Sequence, residues 1–158
     1  MTQFNARRVN FRPDHFVSIK PRPEQMQDTI ALCPDNIKLS YGQAVINTAA
    51  KNKNGLNACT TLVVNGRPIA CFGIMVSSPG ICEGWGVFSE EVKEHRVKVF
   101  STVKYVIDSV DFVRLQITCR DDFPVGKRML TRLGLVEEAI LRKATPDYKD
   151  LCIYSIVR

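Results

Sequence analysis

Two histidines and one tryptophan in 158 residues leave little material for several kinds of chemistry. His15 and His95 are the only imidazoles, so a zinc site would need cysteine ligands, and the six cysteines contain no Cys-x-x-Cys pair. The sequence therefore predicts no metal site. Cys59, Cys71, Cys82, Cys119 and Cys152 lie inside runs that read as strands, which predicts reduced, buried thiols. A Cys–His nucleophilic pair stays open, although a thiol within an apolar strand is more often inert core. The apolar runs fall short of the ~18 to 20 residues that cross a bilayer, and no basic-then-apolar leader opens the chain. The expectation is a soluble intracellular product without a membrane segment.

A hydrophobic content of 45% over this length fits one domain with a substantial core. The net charge of +6 is unevenly spread, because Arg7, Arg8, Arg12, Lys20 and Arg22 face one acid, Asp14, in the first 22 residues. Residues 1–15 read as a basic N-terminal arm and 16–158 as the domain. Arg7, Arg8 and Arg12 can pair bidentately with phosphates or with carboxylates of a partner, or remain a solvated tail.

Phe16 to Lys20 alternates like a first strand, ended by Pro21 and Pro23. Helical spacing follows over Glu24 to Leu32, and Pro34-Asp35-Asn36 breaks it. A second helix is expected from Ser40, where Ser40-Tyr-Gly-Gln43 has capping-box spacing, to the basic, glycine-ended Lys51 to Gly55. Two β-rich runs, Ala58 to Val64 and Arg67 to Val76, flank Asn65-Gly66, the strongest hairpin signal in the chain. A third run, Ile81 to Phe88, completes a meander. From Val92 to Val110 the apolar period becomes helical, and Phe112 to Cys119 is a strand that a crossover places parallel to the run before the helix. A short basic helix, Phe123 to Arg132, ends at Leu133-Gly134-Leu135, and the runs Val136 to Lys143 and Leu151 to Val157 close the chain.

This order, together with Asn65-Gly-Arg-Pro-Ile-Ala, Val87-Phe-Ser-Glu-Glu-Val and Leu130-Thr-Arg-Leu-Gly-Leu, resembles the Gcn5-related N-acetyltransferase (GNAT) superfamily. Within it the chain is similar to small GNAT-like internal virion proteins of short-tailed phages. The resemblance implies an α/β (α+β) fold with a mixed sheet of about seven strands and about four helices, in the order β-α-α-β-β-β-α-β-α-β-β.

For a site, the resemblance implies that acyl-CoA is held by the end of the central strand and a glycine-rich loop opening the long helix. The corresponding segment, Phe88 to Lys98, has no glycine, and Glu90, Glu91 and Glu94 would repel phosphate. If acetyl-CoA binds, the positions that match are Val87, Phe88, Ser89, Lys93, Arg96 and Lys98. The family's tyrosine acid falls at Leu130, which cannot donate a proton. Glu83, on the strand Ile81 to Phe88, is the candidate base, against the alternative of an outward-facing carboxylate. Trp85, between Gly84 and Gly86, lies where a backbone or ligand approaches closely or, more often for such a residue, caps the sheet, with the glycines marking a bulge or splay.

The leading expectation is a phage virion or assembly component with a degenerate acyl-CoA site and no cofactor. It would dock onto other phage structural proteins, in the host cytoplasm during assembly or in the virion. The alternative is an active N-acetyltransferase moving an acetyl group from acetyl-CoA to an amine. A nucleic-acid binder is the third reading, carried by the charge and by Phe4, Phe11 and Phe16.

Overall fold

The structure, a computed structural model, describes residues 5–22 and 33–158. The helix expected over Glu24 to Leu32 lies outside the described residues. Seven strands form a single mixed sheet: β1 (Arg7–Asn10), β2 (Cys59–Val64), β3 (Arg67–Ser78), β4 (Ile81–Phe88), β5 (Arg114–Arg120), β6 (Val136–Leu141) and β7 (Leu151–Val157), in spatial order β1-β2-β3-β4-β5-β7-β6. The described helices are α1 (His15–Ser18), α2 (Asp35–Thr48), α3 (Arg96–Asp108) and α4 (Pro124–Arg132), with a 3-10 helix at Glu90–His95.

The hairpin forms where Asn65-Gly66 predicts it. Both residues take the left-handed conformation, φ 52° and 75°, that a two-residue turn between right-twisted strands requires. β4 and β5 pair in parallel and every other ladder is antiparallel, as the crossover through α3 demands. At the end of α4, Leu135 N–H reaches Leu130 O at 3.0 Å and Gly134 N–H reaches Thr131 O at 3.0 Å, with Gly134 at φ 93°. This Schellman closure explains the Leu-Gly-Leu spelling: glycine takes the left-handed position while Leu133 and Leu135 are buried on either side.

Three expectations are corrected. Phe16 to Lys20 is not a strand. His15, Phe16 and Ile19 are buried together, a helical spacing, and form α1 with its edge. The first strand is β1, which lies in the basic segment and pairs with β2 from Arg7↔Val63 to Asn10↔Thr60. The second helix starts at Asp35, not Ser40; Ser40 Oγ donates back to Asn36 O inside the helix, as mid-helix serines do. The long helix begins as a tighter 3-10 turn at Glu90, and α-helical geometry starts only at Arg96.

The core has two parts. The larger, with Leu62, Ile69, Ile74, Leu115 and Leu135 almost fully buried, packs β2 to β5 and β7 against α3 and α4. The smaller, Phe11, Phe16, Ile19, Val45, Cys71 and Val87, lies under α1 and α2 on the opposite face. Its rings meet edge to face, Phe11 at 5.1 Å from both Phe16 and Trp85.

Candidate functional site

β4 and β5 pair at three positions, Ile81↔Arg114, Cys82↔Leu115 and Glu83↔Gln116, and then part. The next two residues show why. A Cβ on Gly84 would meet Ile117 Cγ1 at 2.6 Å, so the isoleucine fills the space that glycine leaves beside the strand. Past this point the strands enclose a cavity of about 400 Å³, within the ~300–1,000 Å³ of small-molecule sites. An apolar recess of about 70 Å³, walled by Val103, Val106 and Ile107, adjoins it on the α3 side.

Alternation along β4 sorts its side chains. Cys82 and Phe88 pack with the larger core, and Trp85 and Val87 with the aromatic one. Glu83, two residues from Trp85, shares the aromatic face and lines the cavity. Its Oε1 accepts a hydrogen bond from Gln116 Nε2 at 3.2 Å. The structure thus turns the Glu83 carboxylate toward the cleft. Tyr41 of α2 lines the same wall, its ring 5.8 Å from Phe16. Burial, and next the charge of Glu83, raise the Tyr41 pKa, so its hydroxyl remains a proton-bearing donor beside a carboxylate.

The opposite wall comes from the end of β5 and from α4, with Phe123, Gly126, Met129 and Leu130. Leu130, only 4% exposed, gives that wall an apolar surface. Arg120 is fixed by two carboxylates, Asp122 at 2.9 Å and Asp147 at 2.9 Å. Arg120 in turn holds the Asp147 carboxyl well down, at about 2, with Thr145 assisting. Tyr41, Gln116 and Arg120 carry no sequence motif. Tyr41 and Arg120 line the cavity, Gln116 reaches Glu83 from the last paired position of β5, and the Gly84-Trp85-Gly86 triplet is the one local sign of where the strands part.

The remaining predicted residues are dispersed. Phe88 lines the cavity and stacks on Phe72 at 6.0 Å. Val87 faces the aromatic core, and Ser89 is buried, its N–H donating to Ile69 O at 2.9 Å and its hydroxyl without a hydrogen-bond partner among the described residues. Lys93, Arg96 and Lys98 are exposed and do not line the cavity, and Lys93 pairs with Glu90. Arg7 and Arg8 lie exposed on β1, with Arg8 4.3 Å above the Tyr105 ring, while Arg12 grips Asp14 through two hydrogen bonds. Phe11 and Phe16 are buried, and Phe4 is outside the described residues.

Three of the thiols are not activated as nucleophiles. Burial pushes Cys59 and Cys152 up to about 11, and Cys71 higher still, so each stays protonated. His15 engages Thr61 and the Arg12 N–H through Nδ1, and among the described residues no group of three or more His, Cys, Asp and Glu could hold a metal ion. Tyr154, buried and bonded to Glu137 at 2.7 Å, is pushed up to about 12 and does not line the cavity.

No protein-family model and no curated protein matches the chain. Solved structures do. A GNAT-family acetyltransferase from Bacillus anthracis superposes with a TM-score of 0.66 at 12% identity, covering 96% of this chain and 94% of that one. A GNAT-family acetyltransferase from Streptococcus pneumoniae gives 0.61 at 8% identity, over 97% and 99%. RimL, a ribosomal alpha-N-protein acetyltransferase in complex with coenzyme A, gives 0.64 at 12% identity, over 96% and 93%. At these identities the likeness is one of architecture, and it extends over nearly the whole chain: the protein has the GNAT fold.

Proposed function

We propose that the protein is an N-acyltransferase that moves an acetyl group from acetyl-CoA to an amine, with Glu83 as the base. The observation that carries this reading is the parting of β4 from β5 directly after Glu83, which leaves that carboxylate on the wall of a cavity of about 400 Å³. An amine attacks only after it has lost its proton, and a carboxylate within reach of the incoming nitrogen can accept it. The C–N bond then forms at the thioester carbonyl and the C–S bond breaks. Thiols have an ordinary pKa of about 8.5, so the sulfur can leave as thiolate without a proton from the protein. An apolar Leu130 in place of an acid is compatible with that step. Tyr41, still protonated, can donate a hydrogen bond on the acceptor side.

The donor fits in part. Its linear pantetheine arm matches a slot between diverging strands with an apolar floor of Phe88, Ile117 and Met129. The glycine cradle for its diphosphate is replaced by a 3-10 helix whose first turn carries Glu90 and Glu91.

Glu83→Gln tests the reading. Acetyl transfer to a panel of primary amines should fall ~10²–10⁴-fold with the melting temperature unchanged. Full activity would remove Glu83 from the site, and no calorimetric binding of acetyl-CoA would remove the enzyme.

Docking is the second reading: a phage virion or assembly component, working without a cofactor in the host cytoplasm or in the virion. One observation favours it. β1 is an edge strand that carries exposed Arg7 and Arg8, with exposed Arg12 just beyond, a basic rim suited to acidic surfaces of phage structural proteins or to nucleic acid. Reversing all three arginines to glutamate should abolish incorporation into particles, and unchanged incorporation would end this reading. A nucleic-acid partner would add a steep loss of affinity with salt.

A further inference from the structure

We infer that Arg22 and Lys93 form an anion site at the rim of the cleft, that Glu90 fills it when no donor is bound, and that the donor's diphosphate takes Glu90's place. The inference rests on the acyl-donor reading and deepens it.

Arg22 is 8% exposed, an unusual burial for an arginine. Its backbone N–H donates to Phe88 O at 2.8 Å, at the end of β4. Its guanidinium lies 5.1 Å above the Phe123 ring, which opens α4 on the far lip of the cleft. Phe88 and Phe123 both line the cavity, so Arg22 touches the β4 side and the α4 side of its rim.

One counter-charge is Glu90. Arg22 Nε lies 3.6 Å from Glu90 Oε1, and Lys93 Nζ takes Oε2 of the same carboxylate. One carboxylate is therefore held between two cations just past the end of β4, one cation buried and the other half-exposed. A buried guanidinium needs an anion beside it in every state of the protein, because stripping it of both water and partner is costly. Glu90 is on the surface, with a side chain 47% exposed, and can swing into solvent when a better anion arrives. A diphosphate carries more charge than a carboxylate and presents the paired oxygens that a guanidinium fork recognises. The neighbouring Glu91 is engaged separately with Arg67 at 2.8 Å, so of these two acids it is Glu90 that faces Arg22. An acidic segment that repels phosphate on paper thus becomes a self-occupied phosphate site. The carboxylate marks the place and sets a threshold for entry.

Calorimetric titration with coenzyme A and with pantetheine, which lacks the diphosphate, separates the site from the slot. Trp85, the chain's one tryptophan, lines the cavity and reports occupancy by fluorescence. The wild type should bind coenzyme A more tightly than pantetheine. Arg22→Gln should weaken coenzyme A about tenfold or more and leave pantetheine unchanged, whereas Glu90→Gln should strengthen coenzyme A several-fold, again with pantetheine unchanged. Glu90→Gln alters an exposed side chain and keeps the test decisive if Arg22→Gln does not fold. Equal coenzyme A affinity in wild type and Glu90→Gln, with pantetheine still bound, would overturn the inference and leave the enzyme reading standing. Failure of both ligands to bind the wild type would overturn both.

Discussion

On one flank β5 pairs with β7 along its whole length, from Arg114↔Val157 to Arg120↔Leu151; on the other it pairs with β4 at three positions and then lets go. The strand is the same, so β-propensity cannot account for the difference. Side chains can. The β7 flank is filled by Cys152 and Tyr154, both buried, and tied across β7 to β6 and its following loop by Arg114 with Glu138 at 3.1 Å and Arg120 with Asp147. The β4 flank has Gly84 and Gly86, which offer no Cβ, and the Ile117 side chain leaning into the first of them. Stability is concentrated on the closed flank and ligand access on the open one.

The largest effect is expected from Leu115→Ala. Leu115 is 0% exposed and lies in register with Cys82 on one flank and Ile156 on the other, so its truncation should cost ~2–5 kcal/mol in urea unfolding. Met129→Ala, on the cavity wall, should cost clearly less while altering ligand binding. Equal costs would erase the contrast between packed and open flanks.

Gly84→Ala sharpens it further. The added methyl would press on Ile117 Cγ1 and Cδ1, at 2.6 and 2.7 Å, for a loss of ~1–3 kcal/mol. Combining it with Ile117→Ala should recover part of that loss, because the two side chains compete for one space. Strict additivity would mean that Ile117 does not hold the strands apart.

What was legible in the sequence follows the same division. Asn65-Gly66, the Leu133-Gly134-Leu135 stop and the change from β to helical period at Val92 are local signals, and each element they predict is present. α1 is not local in this sense: four residues with one alternating reading and one helical reading are decided by the ring contacts of Phe16 with Trp85 at 5.3 Å and with Tyr41. β1 has no apolar alternation of its own and is a strand because β2 offers an antiparallel edge. Glu83 is named by the family resemblance, on a strand that the apolar pattern makes readable, while alternation alone leaves its facing open. Tyr41 is one of four tyrosines, with Tyr105, Tyr148 and Tyr154, that could replace the missing acid and whose spacing recommends none, and nothing in the sequence marks Gln116 or Arg22, which reach Glu83 and Glu90 from distant segments. The Phe88 to Lys98 segment shows its missing glycines, its acids and its basic residues directly; that Arg22, from a distant part of the chain, lies 3.6 Å from Glu90 is not visible in it.

Arg120→Met is expected to have a smaller effect and one with a pH signature. Arg120 holds the Asp147 carboxyl at about 2, below the ordinary 3.8, so the folded chain releases this proton more readily than the unfolded one. The stabilisation is present above about pH 3.8 and is lost as pH falls toward about 2. Acid unfolding followed by circular dichroism should show a flatter acid limb in Arg120→Met than in the wild type. Parallel limbs would mean that the closed flank owes nothing to this pair.

The smallest effect lies away from both flanks, at His15 on the aromatic face. Its Nδ1 accepts the Arg12 N–H at 3.1 Å and lies 2.7 Å from Thr61 Oγ1, which places the ring proton of the neutral form on Nε2. Protonating Nδ1 would break the bond from Arg12 and charge a ring that is 4% exposed. Burial accordingly lowers the His15 pKa from 6.5, against the charge of Asp14, which raises it, and with a further lowering from Arg12. The unfolded chain therefore takes up this proton first as pH falls. The stabilisation from neutral His15 is whole above about pH 6.5 and drains away below it, down to the folded value. Urea midpoints measured from about pH 7.5 to about pH 5 should fall more steeply in the wild type than in His15→Gln, with pantetheine binding constant over the same range. A parallel fall in both proteins would assign the sensitivity to another group. A loss of ligand binding in step with stability would show that the aromatic face and the cleft are coupled through Phe16, Trp85 and Tyr41.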